Sequence, residues 1–347
     1  MRVLIGGVSS STGRLLAERL LAQPDMDEVI GLDAAACTPP VPGMRFVRAG
    51  LCQPEWSSLL ARADAALLLI GQRWPLRWGV RGGEMALVEE SKCFIRAAVA
   101  ARVPRLIVVQ SAAVYGISPH LSLTPNPSPL HGEGLSSAGV PPLYAVERGA
   151  GGEAGPTPNN LRPESPPAGG YRAGAYARAR AFVEDYLDTV PENGYNGTLT
   201  RLRAAWVCGP HHLALIRHLC GGPVLACGYA DRVIQVVHED DFIAAVTLAL
   251  RQDCPGVYHV CPDAGLTFQQ AASLTGESRD CQPLSWLVLR AWWAWRFRRQ
   301  PSPPAWVRSL YLSRPMDGAR LRAAGWTPRH TSREAMIAAR EIFRAGK

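Results

Sequence analysis

The sequence has very little lysine, no cysteine pair at metal-binding spacing and no long hydrophobic run. Only two of its 37 basic residues are lysines, so arginine carries nearly all of the positive charge. The nine cysteines are an odd number and never form a C-x-x-C pair, which predicts neither a disulfide framework nor a metal site and favours a reducing compartment. No apolar run approaches the roughly 18 to 20 residues that span a bilayer.

The charge balance narrows the range of partners. The chain carries 37 basic and 29 acidic residues, a formal net charge of +8, which suits nucleic acid, an anionic membrane or a phosphorylated small molecule. Basic residues are spread along the chain, apart from the run Trp292 to Arg299 and the C-terminal helix, so we expect no nucleic-acid partner and do not favour an anionic membrane. The first residues read as a strand and not as a secretory leader, so we expect a cytoplasmic protein.

Short apolar runs alternate with helical patterns, which is typical of βαβ units and predicts an α/β fold with a parallel sheet. With 347 residues and 47% hydrophobic content, the chain can form a large core and a second, smaller domain. The predicted strands lie near 2–6, 28–32, 45–48, 65–70, 105–110, 198–202, 233–237 and 257–260. The predicted helices lie near 12–22, 55–62, 84–102, 175–189, 240–251 and 332–345.

One stretch interrupts this alternation. Residues 119–170 are dominated by Pro, Gly, Ser, Asn and Thr, with few apolar side chains to bury. Such a composition predicts a disordered or loosely looped segment. Because long structureless loops are uncommon within compact domains, we interpret it as an insertion outside the fold, with a functional lid as the less favoured alternative.

A turn rich in small residues joins the first strand to the first helix. Gly7 and Gly13 flank it, Ser10 lies between them, and Ser11 and Thr12 open the helix. Backbone amides at such a helix start can hold a pyrophosphate, and glycine allows close approach. The turn therefore predicts a dinucleotide site, the alternative being an ordinary strand-to-helix turn.

Asp33 strengthens this prediction. It lies 20 residues after Gly13, at the end of the second predicted strand. A carboxylate there would accept hydrogen bonds from the adenosine ribose and repel a 2′-phosphate, which favours NAD over NADP. The alternative is a surface aspartate at a strand end.

Three residues further along are candidates for chemistry. Ser111 ends the fifth predicted strand, where a hydroxyl could hydrogen-bond a reacting oxygen. Tyr176 and Arg180 are four residues apart, so they share one helical face, and the cation could stabilise the tyrosinate that proton transfer requires. Tyr144 and Arg148 have the same spacing but run into glycines. The alternative is that Tyr176 and Arg180 only pack and solvate their helix.

In this order the motifs resemble those of the extended short-chain dehydrogenase/reductases, of the NAD-dependent epimerase/dehydratase type. The strand ending in Ser111 and the following Ala-Ala-Val-Tyr-Gly resemble the family's catalytic strand, and Tyr176 with Arg180 resembles its Tyr-x-x-x-Lys motif. Further similarity lies at 202–210, 236–241 and 317–328. In the second of these segments the acidic residues would cap and start a helix. The similarity covers nearly the whole chain outside the insertion.

The resemblance implies a Rossmann-like, doubly wound parallel sheet with a smaller C-terminal substrate-binding domain. Residues 1–205 would bind the dinucleotide, and most of 206–347 would form the substrate domain, with some segments returning to the first. It implies an NAD-dependent oxidoreductase acting on a nucleotide sugar or a similar hydroxyl or carbonyl substrate, and is compatible with a homodimer.

The resemblance also implies residue roles. Ser111 would orient the substrate, Tyr176 would be the acid/base, and Arg180 would hold the nicotinamide ribose. Ile70 and Gly71 would line the cofactor, together with Gly7, Ser10, Ser11, Thr12, Gly13 and Asp33.

Several positions depart from the family pattern and leave two alternatives open. Arg180 replaces lysine, Ser10 replaces glycine, and Gly50, Leu87 and Glu90 stand where other residues are usual. One alternative is a catalytically degenerate dinucleotide-binding protein. The other is a reductase of a lipid-like substrate, suggested by the aromatic and basic segment 286–299. For that segment we favour inward-packed tryptophans with solvated arginines over membrane contact.

Overall fold

The structure is a computed structural model that describes residues 1–69, 83–116, 161–165, 174–220, 224–275, 280–298 and 304–345. The strands are β1 (Arg2–Gly6), β2 (Glu28–Asp33), β3 (Arg45–Arg48), β4 (Ala65–Leu69), β5 (Arg105–Ser111), β6 (Thr198–Ala204), β7 (Trp206–Cys208), β8 (Val224–Ala226), β9 (Val233–Ile234), β10 (Val236–His238), β11 (Gly256–Val260), β12 (Leu266–Thr267) and β13 (Asp280–Gln282).

The α-helices are α1 (Ser11–Leu21), α2 (Gly83–Ala100), α3 (Gly174–Glu192), α4 (Ala214–Cys220), α5 (Glu239–Arg251), α6 (Phe268–Ser273), α7 (Leu284–Arg298), α8 (Pro304–Tyr311), α9 (Ala319–Ala323) and α10 (Ser332–Ala345). Every strand and α-helix up to β5 lies within about two residues of its predicted position, the usual uncertainty of element ends. The helix expected at 55–62 is instead a 3₁₀ helix, Pro54–Arg62.

Seven parallel strands form the central sheet, in the order β11-β6-β5-β4-β1-β2-β3. The strand order reverses between β1 and β4, which is the switch point of a doubly wound, Rossmann-like sheet. The predicted fold class is therefore confirmed. Since all strands are parallel, their carboxyl ends meet at one edge, which is where ligands bind in such sheets.

Helices cover both faces of the sheet because successive strand residues point to opposite sides. In β1, Val3 and Ile5 join the core under α1 and α5, whereas Leu4 joins the core under α2 and α3. Parallel strands buried on both faces read as continuous apolar runs, as the segment Ala65–Leu69 does.

A third hydrophobic core lies in the second half of the chain. It is built from α4, α6, α8 and α10 with the strand pairs β7–β10 and β8–β13, and Tyr311 is fully buried in it. The strand expected at 233–237 is divided at Gln235. The buried Gln235 amide donates to Pro262 O and Met316 O and accepts from Met316 N, so the chain turns there from β9 to β10.

The structure corrects the insertion prediction for five residues. Within 119–170, residues 161–165 contact the fold: Leu161 and Pro163 are buried, the Leu161 amide donates to Pro315 O, and its carbonyl accepts from Asp317 N. An apolar side chain with both backbone groups paired belongs to the fold. The rest of the expected insertion lies outside the described residues.

Two disulfides correct the cysteine prediction. Cys52 pairs with Cys93, and Cys227 pairs with Cys281. The Cα atoms of the two pairs lie 5.1 and 4.9 Å apart, within the range that a disulfide requires. The partners are 41 and 54 residues apart in the chain, so spacing alone does not reveal the pairs.

The tryptophans of α7 also differ from expectation. Trp286, Trp292 and Trp293 are exposed, although inward packing was expected. The inner side of the helix is already occupied by Leu287 with Val288, so these large rings are left outside. Among the described residues, no helix is long and apolar enough to cross a membrane.

A charged network is buried between α3 and the sheet. Glu184 accepts from Arg203 Nε at 3.1 Å and Nη2 at 2.9 Å, and from Arg201 Nη1 at 3.3 Å. Arg203 Nη1 donates to the Tyr115 hydroxyl at 2.7 Å and to Pro163 O at 3.2 Å. The pKa of Arg203 is raised because hydrogen bonds and charge from Glu184 outweigh the effect of burial. The network joins α3, β6 and the segment 161–165.

His259 completes this network and makes stability depend on pH. Its Nε2 pairs with the Tyr115 hydroxyl and its Nδ1 donates to Asp317 O at 2.9 Å. Burial, with a further contribution from the charge of Arg203, lowers the pKa of His259 to about 4. Between pH 6.5 and 4 the unfolded chain therefore takes up a proton that the folded chain does not. The free energy of unfolding should fall by about 3 kcal/mol over this range as the pH is lowered.

Urea unfolding at a series of pH values measures this effect, with His259→Gln as the comparison. The variant lacks the titrating ring, so its free energy of unfolding should change less between pH 6.5 and 4. Parallel pH curves for the two proteins would contradict the assignment to His259.

Candidate active site

The turn between β1 and α1 requires both of its predicted glycines. Gly7 has φ +82°, and a Cβ there would lie 2.6 Å from Leu69 O. A Cβ on Gly13 would lie 2.6 Å from Val8 O. Any side chain at either position would therefore displace backbone, so the turn holds the start of α1 close against the sheet edge.

Ser10 fits this turn although the family pattern has glycine there. Its φ of −70° and ψ of 160° are ordinary for a helix N-cap. Its Oγ accepts from Gly13 N at 3.0 Å and donates to Gly7 O at 3.2 Å. The side chain is therefore buried and folded back into the turn, where it satisfies backbone groups.

Asp33 is held in a fixed orientation at the end of β2. Its two carboxylate oxygens accept from Ser9 N at 3.1 Å and Ala35 N at 2.9 Å. A carboxylate has about four lone-pair sites, so it can accept further hydrogen bonds in this position. Partial desolvation of the carboxyl group and the nearby charge of Asp33 raise the pKa of Glu90. A second carboxyl group therefore lies in the electrostatic field of the first.

Of two adjacent histidines that sequence analysis missed, His212 contacts the start of α1. The Thr12 hydroxyl pairs with His212 Nε2, and His212 Nδ1 lies 2.9 Å from Glu239 Oε2. His211 Nδ1 lies 2.6 Å from Glu239 Oε1. A Cβ on Gly209 would lie 2.5 Å from the Glu239 side chain, so a substitution there would displace the carboxylate that contacts both histidines.

The buried Glu239 is the carboxylate that links the two histidines. Burial raises the pKa of Glu239, but hydrogen bonds from His212 and His211 outweigh it and hold the pKa at about 2. The carboxylate orients both rings and fixes His212 against Thr12. The acidic residues start α5 as expected, since Glu239, Asp240 and Asp241 form its first turn, but the N-cap is His238, whose side chain accepts from Asp240 N at 3.2 Å. The sequence signal that could have indicated this cluster is the pair of adjacent histidines directly after Gly209-Pro210.

The structure brings together two of the three predicted catalytic residues. Tyr176 and Arg180 are both buried on α3, and the Arg180 guanidinium lies over the Tyr176 ring, 4.5 Å from its centroid. Arg180 Nη1 donates to Gln110 Oε1 at 3.0 Å, and Gln110 Nε2 donates to Arg180 O at 3.3 Å. Gln110 immediately precedes Ser111, so these bonds fix the Tyr176 helix against the end of β5.

Ser111 lies at the carboxyl edge of the sheet. Its Oγ accepts from Ala113 N at 3.3 Å, which starts the 3₁₀ helix Ala112–Tyr115, and its side chain is only half-buried. The same edge carries Gly7 and Asp33 at the ends of β1 and β2. The candidate catalytic serine and the candidate dinucleotide-binding residues therefore lie at the same edge of the sheet.

Other predicted positions are less informative or fall outside the description. Tyr115, the other tyrosine near the end of β5, belongs to the buried network, and burial raises its pKa to about 12. It therefore stays protonated near neutral pH. Ile70, Gly71 and Tyr144 lie outside the described residues, so their predicted roles are not placed.

No family model matches the sequence, and no curated protein matches it. Solved structures do share its fold. The UDP-glucose 4-epimerase of Thermus thermophilus, solved with NAD, is 21% identical with a TM-score of 0.65, and each chain covers 100% of the other. The dTDP-glucose 4,6-dehydratase of Streptomyces venezuelae, solved with NAD, is 20% identical with a TM-score of 0.66, over 99% of this chain and 97% of that one.

A third similar structure is a nucleotide-sugar epimerase with its sugar bound. The UDP-glucose 4-epimerase of Thermotoga maritima, solved with UDP-glucose, is 17% identical with a TM-score of 0.66, over 100% of this chain and 99% of that one. These similarities extend through the third core as well as the central sheet. The chain has the two-part fold of these epimerases and dehydratases.

Proposed function

We propose that this chain is an NAD-dependent oxidoreductase that acts as an epimerase or dehydratase on a nucleotide sugar. The observation that carries the proposal is the common sheet edge: the glycine turn and Asp33 lie at the ends of β1 and β2, and Ser111 with the Tyr176–Arg180 pair lies at the end of β5. The fold shared with solved nucleotide-sugar enzymes supports it.

The residues present fit a dinucleotide. A pyrophosphate at the start of α1 would face helix amides with no acidic side chain in the first turn. Gly7 and Gly13 have no side chain and the Ser10 side chain is folded into the turn, so backbone groups line this surface. Asp33 would accept the adenosine ribose hydroxyls, and Thr12 is held by His212 at the same helix start.

The chemistry then follows from the groups at the end of β5. Bound NAD would accept a hydride from a substrate carbon and return it. Ser111 Oγ would donate a hydrogen bond to the reacting oxygen, and Tyr176 Oη would take and return the hydroxyl proton. Arg180 would stabilise the tyrosinate from the face of the ring, since a guanidinium over an aromatic face is attractive. Gln110 keeps Arg180 in this position.

Cofactor titration tests the proposal most directly. Cofactor fluorescence should report tight NADH binding to the wild type. Gly13→Ala should weaken NADH binding about 10-fold or more, because overpacking that costs about 1–3 kcal/mol must displace the turn. Gly50→Ala is the matched control, since a Cβ there meets nothing closer than 3.7 Å.

Circular dichroism and a denaturation curve establish that both variants are folded. Wild-type protein that binds neither NADH nor NADPH would overturn the proposal. Equal NADH affinity in the two glycine variants would remove the turn from the binding site.

Asp33 should decide between the two cofactors. Asp33→Asn should weaken NADH binding about 10-fold through loss of charge-assisted hydrogen bonds, and should strengthen NADPH binding relative to NADH. Asp64→Asn is the control, because Asp64 accepts from Arg2 N at 2.6 Å before β4, at the opposite edge of the sheet. An unchanged ratio of NADH to NADPH affinity in Asp33→Asn would contradict the assigned role.

A further inference from the structure

Helix α7 is apolar on both of its sides. Its inner side packs on the described cores through Leu284, Leu287, Val288, Ala291 and Trp295. Its outer side carries large hydrophobic residues that are 42 to 58% exposed: Trp286, Leu289, Trp292, Trp293 and Phe297. At 3.6 residues per turn these outer residues share an arc of about 160° with Arg290 and Arg296. A contiguous exposed apolar face of this kind marks an interaction surface.

The segment that carries this face has charge of one sign. Between Cys281 and Met316 the sequence has six arginines and no acidic residue. Arg290 lies over the Trp286 ring, 5.9 Å from its centroid, and Arg296 lies 5.3 Å from that of Phe297. The guanidinium groups and the rings therefore lie at the same level on the outer arc. Tryptophan and arginine in this arrangement are typical of helices that lie in the headgroup region of a membrane.

We propose that the outer face of α7 binds an anionic lipid surface. The helix would lie along the membrane plane, with Trp293 and Phe297 inserted and Arg290 and Arg296 paired with lipid phosphates. The inner side stays packed on the protein, which limits the contact to the interface. Charge complementarity favours this occupant over a second copy of the chain, because two facing α7 helices would bring arginines together. This inference does not depend on the proposed function.

Vesicle co-sedimentation of the full chain tests the proposal. We expect binding to vesicles of phosphatidylglycerol and phosphatidylcholine, little binding to phosphatidylcholine alone, and weaker binding at high salt. Tryptophan emission should shift to shorter wavelength on binding. Each substitution Arg290→Gln or Arg296→Gln should weaken binding about 5-fold, and the double variant about 25-fold. Trp293→Ser combined with Phe297→Ser should abolish binding.

Matched controls come from other surfaces. Ile342→Ser removes a 46% exposed apolar side chain from α10, and Arg62→Gln removes an exposed arginine from the 3₁₀ helix. Both should bind vesicles as the wild type does, and all variants should keep the wild-type unfolding midpoint. Absence of binding to the anionic vesicles, or equal binding by α7 and control variants, would overturn the proposal. So would a dimer in light scattering that Trp293→Ser with Phe297→Ser converts to a monomer without changing vesicle binding.

Discussion

Glu184→Ala should lower the free energy of unfolding by about 3–5 kcal/mol, the largest stability change expected of any single substitution here. The carboxylate is fully buried and accepts two hydrogen bonds from Arg203 and one from Arg201. Its removal leaves the Arg203 charge buried beside the Tyr115 hydroxyl and Pro163 O, neither of which carries a compensating charge. Urea denaturation followed by circular dichroism measures the loss.

Asp188→Ala is a matched control one turn further along α3. Asp188 also pairs with Arg201, at 2.5 Å, but its side chain is 65% exposed. Exposed ion pairs contribute little, so this variant should lose less than about 1 kcal/mol. Equal losses in the two variants would mean that Arg203 finds other partners when Glu184 is removed, and the network would not be the main tie between α3 and β6.

Tyr176→Phe should lower kcat about 10²- to 10⁴-fold, which is the usual contribution of a general acid/base. The substitution removes only Oη, so the ring still packs in the core and Arg180 still stacks on it. NADH affinity should therefore stay near its wild-type value, and the variant should remain folded. Turnover of UDP- and dTDP-linked hexoses, with NADH formation or epimer production as the readout, measures the effect.

A second buried tyrosine, Tyr195, provides a control that separates a loss of catalysis from a loss of packing. Tyr195 donates to Val103 O at 2.8 Å, and Val103 precedes β5 at its amino end, away from the carboxyl edge. Tyr195→Phe should cost about 1 kcal/mol of stability through the lost hydrogen bond and leave kcat unchanged. Wild-type turnover in Tyr176→Phe would refute its assigned role.

Arg180→Lys distinguishes an altered enzyme from a degenerate one. Lysine is a compact point charge that cannot keep both the stacking on Tyr176 and the donation to Gln110. Increased turnover in this variant would indicate an active site working with a modified cation. Tight NADH binding without turnover of any nucleotide sugar, in wild type and Arg180→Lys alike, would favour the catalytically degenerate alternative.

Much of the fold could be predicted because its signals are local. The apolar runs at β1, β2, β4 and β5 end at glycine or polar residues, and helical periodicity lies between them. A strand buried on both faces must be apolar throughout, so its length and ends can be read directly. The glycines at 7 and 13 were also predictable, since close backbone approach excludes every other residue.

Long-range contacts could not be predicted in this way. The tie between Glu239 and the two histidines, the Arg203 cluster with His259, and the pairing of Cys52 with Cys93 join residues that no periodic pattern relates. Aromatic residues usually pack inward, but a helix that is apolar on both sides, such as α7, gives no local indication of which side is exposed.

The sequence by itself determined the order of strands and helices up to β5, the glycine turn and the Tyr-x-x-x-Arg spacing, because each depends on residues close together in the chain. Only the tertiary structure decided that Arg180 lies over Tyr176 and is held by Gln110, that His212 reaches Thr12, and that α7 exposes its second apolar side. These contacts depend on which elements the crossovers place side by side. Burial and charge pairing are properties of that arrangement and not of sequence neighbours.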